Sequence, residues 1–164
     1  MLTSSLLAGG NSVNSEACSF ELLYRLFRAT LCRTETELRY WPTGSKITDY
    51  EARLFDMSIG VSVTRAMRHR GVFGAEDARR LLEKKLLGVV ESSANVVDGR
   101  FHKQVLHVWT RTRHAARVIQ QEHRRMSQDL RANTVVLVTV VKNANWIFYE
   151  KPAPKSAFSE MVCV

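Results

Sequence analysis

The chain has 164 residues, 45% of them hydrophobic and 24% charged, which suits one folded domain with a real core. Its net charge of +8 predicts acidic partners: nucleic acid, an anionic membrane or an acidic protein. The three cysteines, Cys18, Cys32 and Cys163, form no CxxC pair. They argue against a disulfide scaffold or a zinc site and suit a reducing compartment.

The first predicted element is a helix over about residues 16–39, which contains the tripeptide Leu23-Tyr24-Arg25. Its apolar side chains recur at the spacing of a helix with one buried face: Phe20, Leu23, Phe27 and Leu31. Tyr24 lies at the edge of this face, where its ring can pack while its hydroxyl stays available. Arg25 and Arg28 are one turn apart, so both guanidinium groups can reach one anionic partner. On this segment alone, an amphipathic surface helix with two solvated arginines is the simpler interpretation.

Two further helices are predicted before residue 91. Thr48-Asp49-Tyr50-Glu51 matches a capping box, with Thr48 as N-cap and Glu51 reaching back. The second helix then ends near Gly71 and contains Gly60, which weakens it or lets another helix approach. Its inner side carries Leu54, Met57, Val61 and Thr64. The third helix begins at Ala75-Glu76-Asp77, because the helix dipole favours acidic side chains in the first turn. Its apolar face comprises Ala78, Leu81, Leu82, Leu86, Val89 and Val90.

A fourth helix is predicted over about residues 103–131, with one apolar and one basic face. The apolar face carries Val105, Val108, Trp109, Ala116 and Ile119. The basic face carries Arg111, Arg113, Arg117, Arg124 and Arg125. Residues 115–125 resemble the first half of a calmodulin-binding IQ motif, but Asp129 and Ala132 depart from its second half. A basic amphipathic helix is therefore the better interpretation.

The helical spacing of apolar residues ends at Asn133, and residues 134–141 are dominated by β-branched side chains. This run is far shorter than the ~20 residues that span a bilayer. It has strand character without a second strand of comparable quality, so it either continues the bundle as a helix or lies against another protein. The residues from Trp146 to Pro154 are expected to be extended, with anchors for a partner: Trp146, Ile147, Phe148 and Tyr149.

These elements predict an all-α fold, a three-helix bundle with an additional basic C-terminal helix and an extended C-terminal tail. The expected domains are a flexible N-terminus at residues 1–15, a helical domain at 16–131 and a partner-binding tail at 132–164. The first fifteen residues carry no charged side chain, and no signal peptide or presequence is recognised among them.

No known catalytic motif is recognised, since GxSxG, HExxH, a Walker loop and GxGxxG are all absent. His102, His107 and His114 could be imagined as metal ligands, but no second acidic or thiol ligand follows at helical spacing. Histidines among many arginines more often belong to a basic solvated face. The sequence therefore predicts a protein that is not an enzyme and binds no metal.

The order of these motifs resembles the LYR family, small mitochondrial three-helix proteins that dock an acyl carrier protein. Leu23-Tyr24-Arg25 matches the family motif, Val63–Arg68 its basic second helix and Ala75–Leu82 its acid-opened third helix. The stretch Val108–His114 is similar to a Val-Trp-basic-Arg-Thr-His stretch of the matrix-side LYR accessory subunit of respiratory complex I. The resemblance covers about residues 20–125. It departs from the family where Met67 replaces a phenylalanine, and in a lengthened loop at residues 92–100.

The resemblance implies a non-catalytic accessory subunit of mitochondrial NADH:ubiquinone oxidoreductase (complex I) that anchors the mitochondrial acyl carrier protein. Such a subunit would bind no cofactor itself and would receive the acyl-phosphopantetheine group of the carrier. The residues expected to bind the carrier are Tyr24, Arg25, Arg28, Arg65 and Arg68. Those expected to line the acyl-chain pocket are Leu23, Phe27, Val61, Met67 and Leu82. A buried acyl chain would contribute about 0.8 kcal/mol per CH₂ to docking.

The expected partners are the carrier and the matrix-arm and membrane-interface subunits of complex I, without nucleic acid. The expected location is the matrix side of the mitochondrial inner membrane, peripheral to the bilayer. Two alternatives remain open. The chain could be a LYR-type assembly factor or mitoribosome component that binds the same carrier. It could also be a basic RNA-binding helical protein outside the family, although most aromatic residues lie on apolar stripes rather than among exposed arginines.

Overall fold

A five-stranded sheet with helices on both faces forms the described part of the chain, residues 12–149 of this computed structural model. The expected all-α helical bundle is therefore wrong. The helices are α1 (Val13–Phe27), α2 (Ala75–Asn95), α3 (Arg113–Arg125), α4 (Gln128–Arg131) and α5 (Asn145–Phe148). The strands are β1 (Thr30–Thr34), β2 (Tyr50–Leu54), β3 (Met57–Ala66), β4 (Lys103–Thr110) and β5 (Thr134–Val140).

The strands follow one another in space as they do in sequence, in the order β1-β2-β3-β4-β5. The first three form an antiparallel meander, in which β2 and β3 are joined by a two-residue turn. The last three are parallel, because a helical crossover separates β3 from β4 and β4 from β5. Parallel strands need both faces covered, and the helices between them supply that cover on one side.

The predicted second helix is in fact the hairpin of β2 and β3. Side chains two residues apart point into the same core: Tyr50, Ala52, Ile59, Val61 and Val63 are all buried. The turn residues Phe55 and Asp56 both have positive φ, 48° and 63°, as the tight turns of hairpins require. Gly60 lies in β3, where its Cα faces the side chains of Gln104 and Phe101 rather than another helix.

The predicted first and fourth helices are each shorter than expected and are accompanied by a strand. α1 ends at Phe27, where Arg28 takes a left-handed conformation with φ of 58°, and β1 follows. β4 replaces the first part of the fourth helix, and its residues from Leu106 to Thr110 are all buried. β5 confirms the strand character of the valine-rich run, and its partner is β4 of the same chain.

Two apolar cores lie on opposite faces of the sheet. One core includes α1 and α5, with Phe20, Leu23, Trp109, Ile147 and Phe148 among its buried members. The other is formed against α2 and α3, with Leu82, Leu86, Leu106, Val108 and Ile119. Ile147 and Phe148 thus belong to this chain's own core rather than to a partner's pocket. Pro152 and Pro154 lie outside the described residues.

A buried polar chain fastens α1 to the sheet. The Ser19 hydroxyl is 2.7 Å from the Tyr50 hydroxyl and 2.7 Å from Nδ1 of His107. Nε2 of His107 lies 2.9 Å from the Thr139 hydroxyl on β5. The His107 side chain has no exposed surface, and burial lowers its pKa to about 3. Each ring nitrogen has a partner, so the neutral imidazole is fully satisfied in this core.

Candidate functional site

A small cavity of about 100 Å³ lies between α2, β3 and the segment that leads into β2. Its wall includes one carboxyl group, one hydroxyl and three ammonium groups, together with apolar residues. The lining residues are Lys46, Ile47, Asp49, Ser62, Lys84, Lys85, Gly88 and Val89. Such a cavity attracts an anion and offers it one carboxyl beside ammonium groups that can donate protons.

Asp49 is the acid–base group of this cavity. Its Oδ2 accepts a hydrogen bond of 2.5 Å from the backbone N–H of Val63, because β3 runs beside the segment preceding β2. Burial raises the pKa of the Asp49 carboxyl to about 7, and the negative charge of Glu16 adds to this effect. The Val63 hydrogen bond and the positive charge of Lys85 oppose it. Asp49 can therefore both accept and release a proton near neutral pH.

Glu16 belongs to α1 on the opposite face of the sheet, and its charge acts on Asp49 from there. The residue is 6% exposed, and burial raises the pKa of its carboxyl. A hydrogen bond with Ser12 opposes that shift, and the charges of Arg65 and Lys85 also favour the ionised form. The positive charge of Lys85 acts on both carboxyls and opposes the raised pKa of each.

The candidate site does not hold a ready set of metal ligands. No group of three or more His, Cys, Asp and Glu side chains within residues 12–149 is placed to bind a metal ion. The chemistry that the cavity supports from its own residues is proton transfer by Asp49 and charge stabilisation by lysine. The nearby Thr48 is fully buried, and its hydroxyl donates to the Ser92 hydroxyl at 3.1 Å, which fixes the segment before β2 against α2.

The residues expected to bind an acyl carrier protein divide between two places. Tyr24, Arg25 and Arg28 are exposed at the C-terminal end of α1, where Arg25 also pairs with Glu21 at 2.6 Å. Arg65 lies partly buried at the end of β3 and donates to the carbonyl of Phe148 at 3.5 Å. The remaining member, Arg68, is exposed and forms an ion pair of 3.3 Å with Asp77.

The residues expected to line an acyl pocket do not share one cavity wall. Leu23 and Val61 are buried in the core beside α1, with Met67 packed against it. Leu82 is buried in the core on the opposite face of the sheet. Phe27 is 40% exposed at the end of α1. Since a sheet separates Leu82 from the others, these five residues cannot surround one chain between three helices.

Neither Asp49 nor Glu16 is singled out by the sequence, because Asp49 falls inside the predicted capping box. In the structure Glu51 instead belongs to β2, and its carboxylate accepts a hydrogen bond of 2.6 Å from the Arg33 side chain. The available signal was the alternation of apolar residues that begins at Tyr50, which indicates a strand with Asp49 at its entrance. Glu16 had no comparable signal, since only the packing of α1 brings it near.

No protein-family model and no solved structure matches the chain. It is 44% identical over 149 residues to the "AAC-rich mRNA clone AAC4 protein" of Dictyostelium discoideum. The match covers 86% of this chain and 22% of that protein, so the chain spans about a fifth of its relative's length. None of the helices among the described residues has the length and apolar character needed to cross a bilayer.

Proposed function

We propose that the chain hydrolyses phosphodiester bonds of a nucleic acid at the cavity that contains Asp49. The observation that carries this proposal is the placement of one carboxyl, that of Asp49, in a cavity lined by three lysines. Burial raises the pKa of this carboxyl to about 7, which suits proton transfer near neutral pH. A buried carboxyl of this kind reduces stability at neutral pH and is typical of sites where it takes part in chemistry. The lysines select for an anionic substrate.

The charge of the whole chain supports a polyanionic substrate. The net charge of +8 draws a nucleic acid to the protein whatever its sequence. Lys46 and Lys84 are exposed at the cavity, and Lys85 is partly buried within it. Ammonium groups that line one cavity supply positive charge for hydrogen bonds to a phosphate.

Each step of the proposed reaction has a group in the cavity to perform it. The ionised Asp49 carboxylate takes a proton from a water molecule, and the hydroxide formed attacks the phosphorus. The bond between phosphorus and one ester oxygen breaks, and that oxygen takes a proton from the Lys85 ammonium. The lysines stabilise the additional negative charge of the transition state, which is the largest contribution in most phosphoryl transfers.

The test is cleavage of end-labelled single- and double-stranded DNA and RNA by the purified chain, with Mg²⁺ or with a chelator. We expect cleavage whose rate rises about tenfold per pH unit below about pH 7 and levels off above it, because only ionised Asp49 accepts the proton. The measurement is the initial rate across this pH range. Absence of cleavage of all four substrates, or a rate independent of pH, would refute the proposal.

Docking of an acyl carrier protein, within complex I or another mitochondrial assembly, stays a second proposal with one observation in its favour. Tyr24, Leu26 and Phe27 form an apolar surface at the end of α1, each between 40% and 47% exposed, beside Arg25 and Arg28. An acidic helix with an apolar ridge could bind there. We expect acylated carrier to be retained by the immobilised chain and lost when Arg25→Glu and Arg28→Glu are combined. Equal retention by this variant would contradict carrier docking.

A further inference from the structure

The outer edge of β5 has no strand partner among the described residues. β5 pairs with β4 along Thr134–Val140, in continuous register from Gln104 to Thr110, and with no other strand. Its seven residues include five aliphatic side chains and neither a charged residue nor a proline. Proteins normally protect such an edge with lysine, proline or a bulge, because its free N–H and C=O groups pair readily with another chain.

A groove runs beside this edge, between β5 and α3. It has a volume of about 440 Å³, and its aliphatic wall is formed by Ile119 of α3 and by Val136 and Val138 of β5. Val136 and Val138 are only partly buried, and neighbouring Val135 is 54% exposed. The groove therefore joins an apolar surface to a strand edge that pairs with no other strand of the described chain.

The side of the groove formed by α3 is cationic. Arg117 and Arg124 line it from exposed positions two turns apart, and Gln120 lies between them. The single acidic residue of α3, Glu122, does not offset them. It is 2% exposed, and its two carboxylate oxygens are bonded to Arg79 at 3.1 Å and to Arg125 at 2.6 Å. Among residues 12–149, the groove lining thus presents positive charge and no carboxylate.

We propose that the groove between α3 and β5 binds an acidic segment of another polypeptide in extended conformation, which joins the sheet as a sixth strand. The main chain of this segment pairs with the free edge of β5. Its apolar side chains contact Val136 and Val138, and its carboxylates bind Arg117 and Arg124. This is strand addition, in which main-chain hydrogen bonds give affinity and alternate side chains give specificity.

Other occupants fit the groove less well. A second copy paired edge to edge would bring two α3 helices together, with Arg117 and Arg124 of each facing like charges. Residues 150–164 of the chain itself carry two lysines and two glutamates, so they offer no net negative charge. A single-stranded nucleic acid prefers aromatic stacking surfaces, and the groove contains no Phe, Tyr or Trp among its lining residues.

The test measures binding of labelled nine-residue peptides to the purified chain by fluorescence anisotropy. Side chains at alternate positions of a strand share one face, so valine and glutamate must occupy the same set of positions to reach both the valines of β5 and the arginines of α3. We expect a peptide with serine at the odd positions, and with valine and glutamate in turn at the even positions, to bind. Replacing each glutamate by lysine should abolish binding because of charge, and replacing each valine by serine should weaken binding at least tenfold because the apolar contacts are lost. N-methylation of every odd-position amide in one peptide and of every even-position amide in another should abolish binding for one of the two, because only one edge faces β5.

Matched variants locate the binding site. Arg117→Glu combined with Arg124→Glu should weaken the valine–glutamate peptide at least tenfold, whereas Arg53→Glu combined with Arg100→Glu changes the same charge at exposed positions elsewhere and should leave binding unchanged. Circular dichroism confirms that each variant is folded. The proposal is overturned if both double variants bind equally. It is also overturned if both N-methylated peptides bind, or if a nine-nucleotide oligonucleotide binds the groove and the peptides do not.

Discussion

Asp49→Asn should slow hydrolysis by orders of magnitude and at the same time stabilise the protein above about pH 7. Loss of the general base is expected to reduce the cleavage rate by about 10²–10⁴-fold. The asparagine side-chain oxygen can still accept the hydrogen bond from Val63 N–H, so the segment before β2 keeps its position. A variant that is inactive yet more stable would separate a catalytic role from a structural one.

The gain in stability follows from the raised pKa of Asp49. Its carboxyl titrates near 3.8 in the unfolded chain and near 7 in the folded one, so the folded state holds the extra proton between these values. The free energy of unfolding contributed by Asp49 therefore falls as pH rises from about 4 to about 7. A difference of about three pKa units corresponds to roughly 4 kcal/mol at most. We expect Asp49→Asn to gain about 2–4 kcal/mol at about pH 8 and almost nothing at about pH 4.

Urea unfolding of the parent chain and the variant at both pH values measures this difference. Asp129→Asn is the matched control, because Asp129 is exposed in the first turn of α4. That control should change the free energy of unfolding by less than about 0.5 kcal/mol at either pH. A destabilised Asp49→Asn variant at about pH 8 would mean that the ionised carboxylate supports the fold, contrary to a raised pKa.

Parts of the fold could be predicted from sequence where a local signal was unambiguous. α2 begins at Ala75, as predicted, and the Asp77 carboxylate accepts from the Gly74 N–H at 3.0 Å. The valine-rich run is a strand, as its β-branched residues indicate. Both signals depend on neighbours in sequence.

The hairpin and β4 could not be recognised because the spacing of their apolar residues fits a helix as well as a strand. Leu54, Met57 and Val61 are three and four residues apart, which fits a helix, although each belongs to a strand. The turn between them uses Phe55 and Asp56 in place of the glycine or asparagine that usually marks a hairpin. β4 is buried on both faces, so it has no alternation of apolar and polar residues to distinguish it from a buried helix.

The candidate site was harder to predict from the sequence than the fold, because its chemistry depends on the proximity of distant segments. The carboxyl of Asp49 is perturbed by burial and by Glu16, which belongs to a helix on the other face of the sheet. No local pattern around Thr48 or Tyr50 reports this proximity. The tripeptide Leu23-Tyr24-Arg25 is the opposite case, because this strong local motif did not predict the fold. Leu23 is buried and its two neighbours are exposed, and all three lie on one helix of an α/β fold.

His107 should give the opposite dependence of stability on pH. Its pKa is about 3 in the folded state against 6.5 for a free histidine, so the unfolded state binds the extra proton between these values. The free energy of unfolding contributed by His107 therefore falls by up to about 1.4 kcal/mol per unit as pH decreases from about 6.5 to about 3. Asp49 changes stability in the other direction over most of this range. In the parent chain the two contributions offset each other between about pH 4 and 6.5.

Single variants should expose the two contributions separately. Asp49→Asn leaves His107 unopposed, so stability should rise with pH from about 4 to 6.5. His107→Leu removes the hydrogen bonds to Ser19 and Thr139 and should cost about 2–4 kcal/mol at about pH 7. In that variant stability should fall as pH rises, while His114→Leu, at an exposed position on α3, should behave like the parent chain. If Asp49→Asn showed no rise in stability between about pH 4 and 6.5, the His107 imidazole would have to be protonated in the folded core. The hydrogen-bonded chain from Tyr50 to Thr139 would then require a different arrangement of protons.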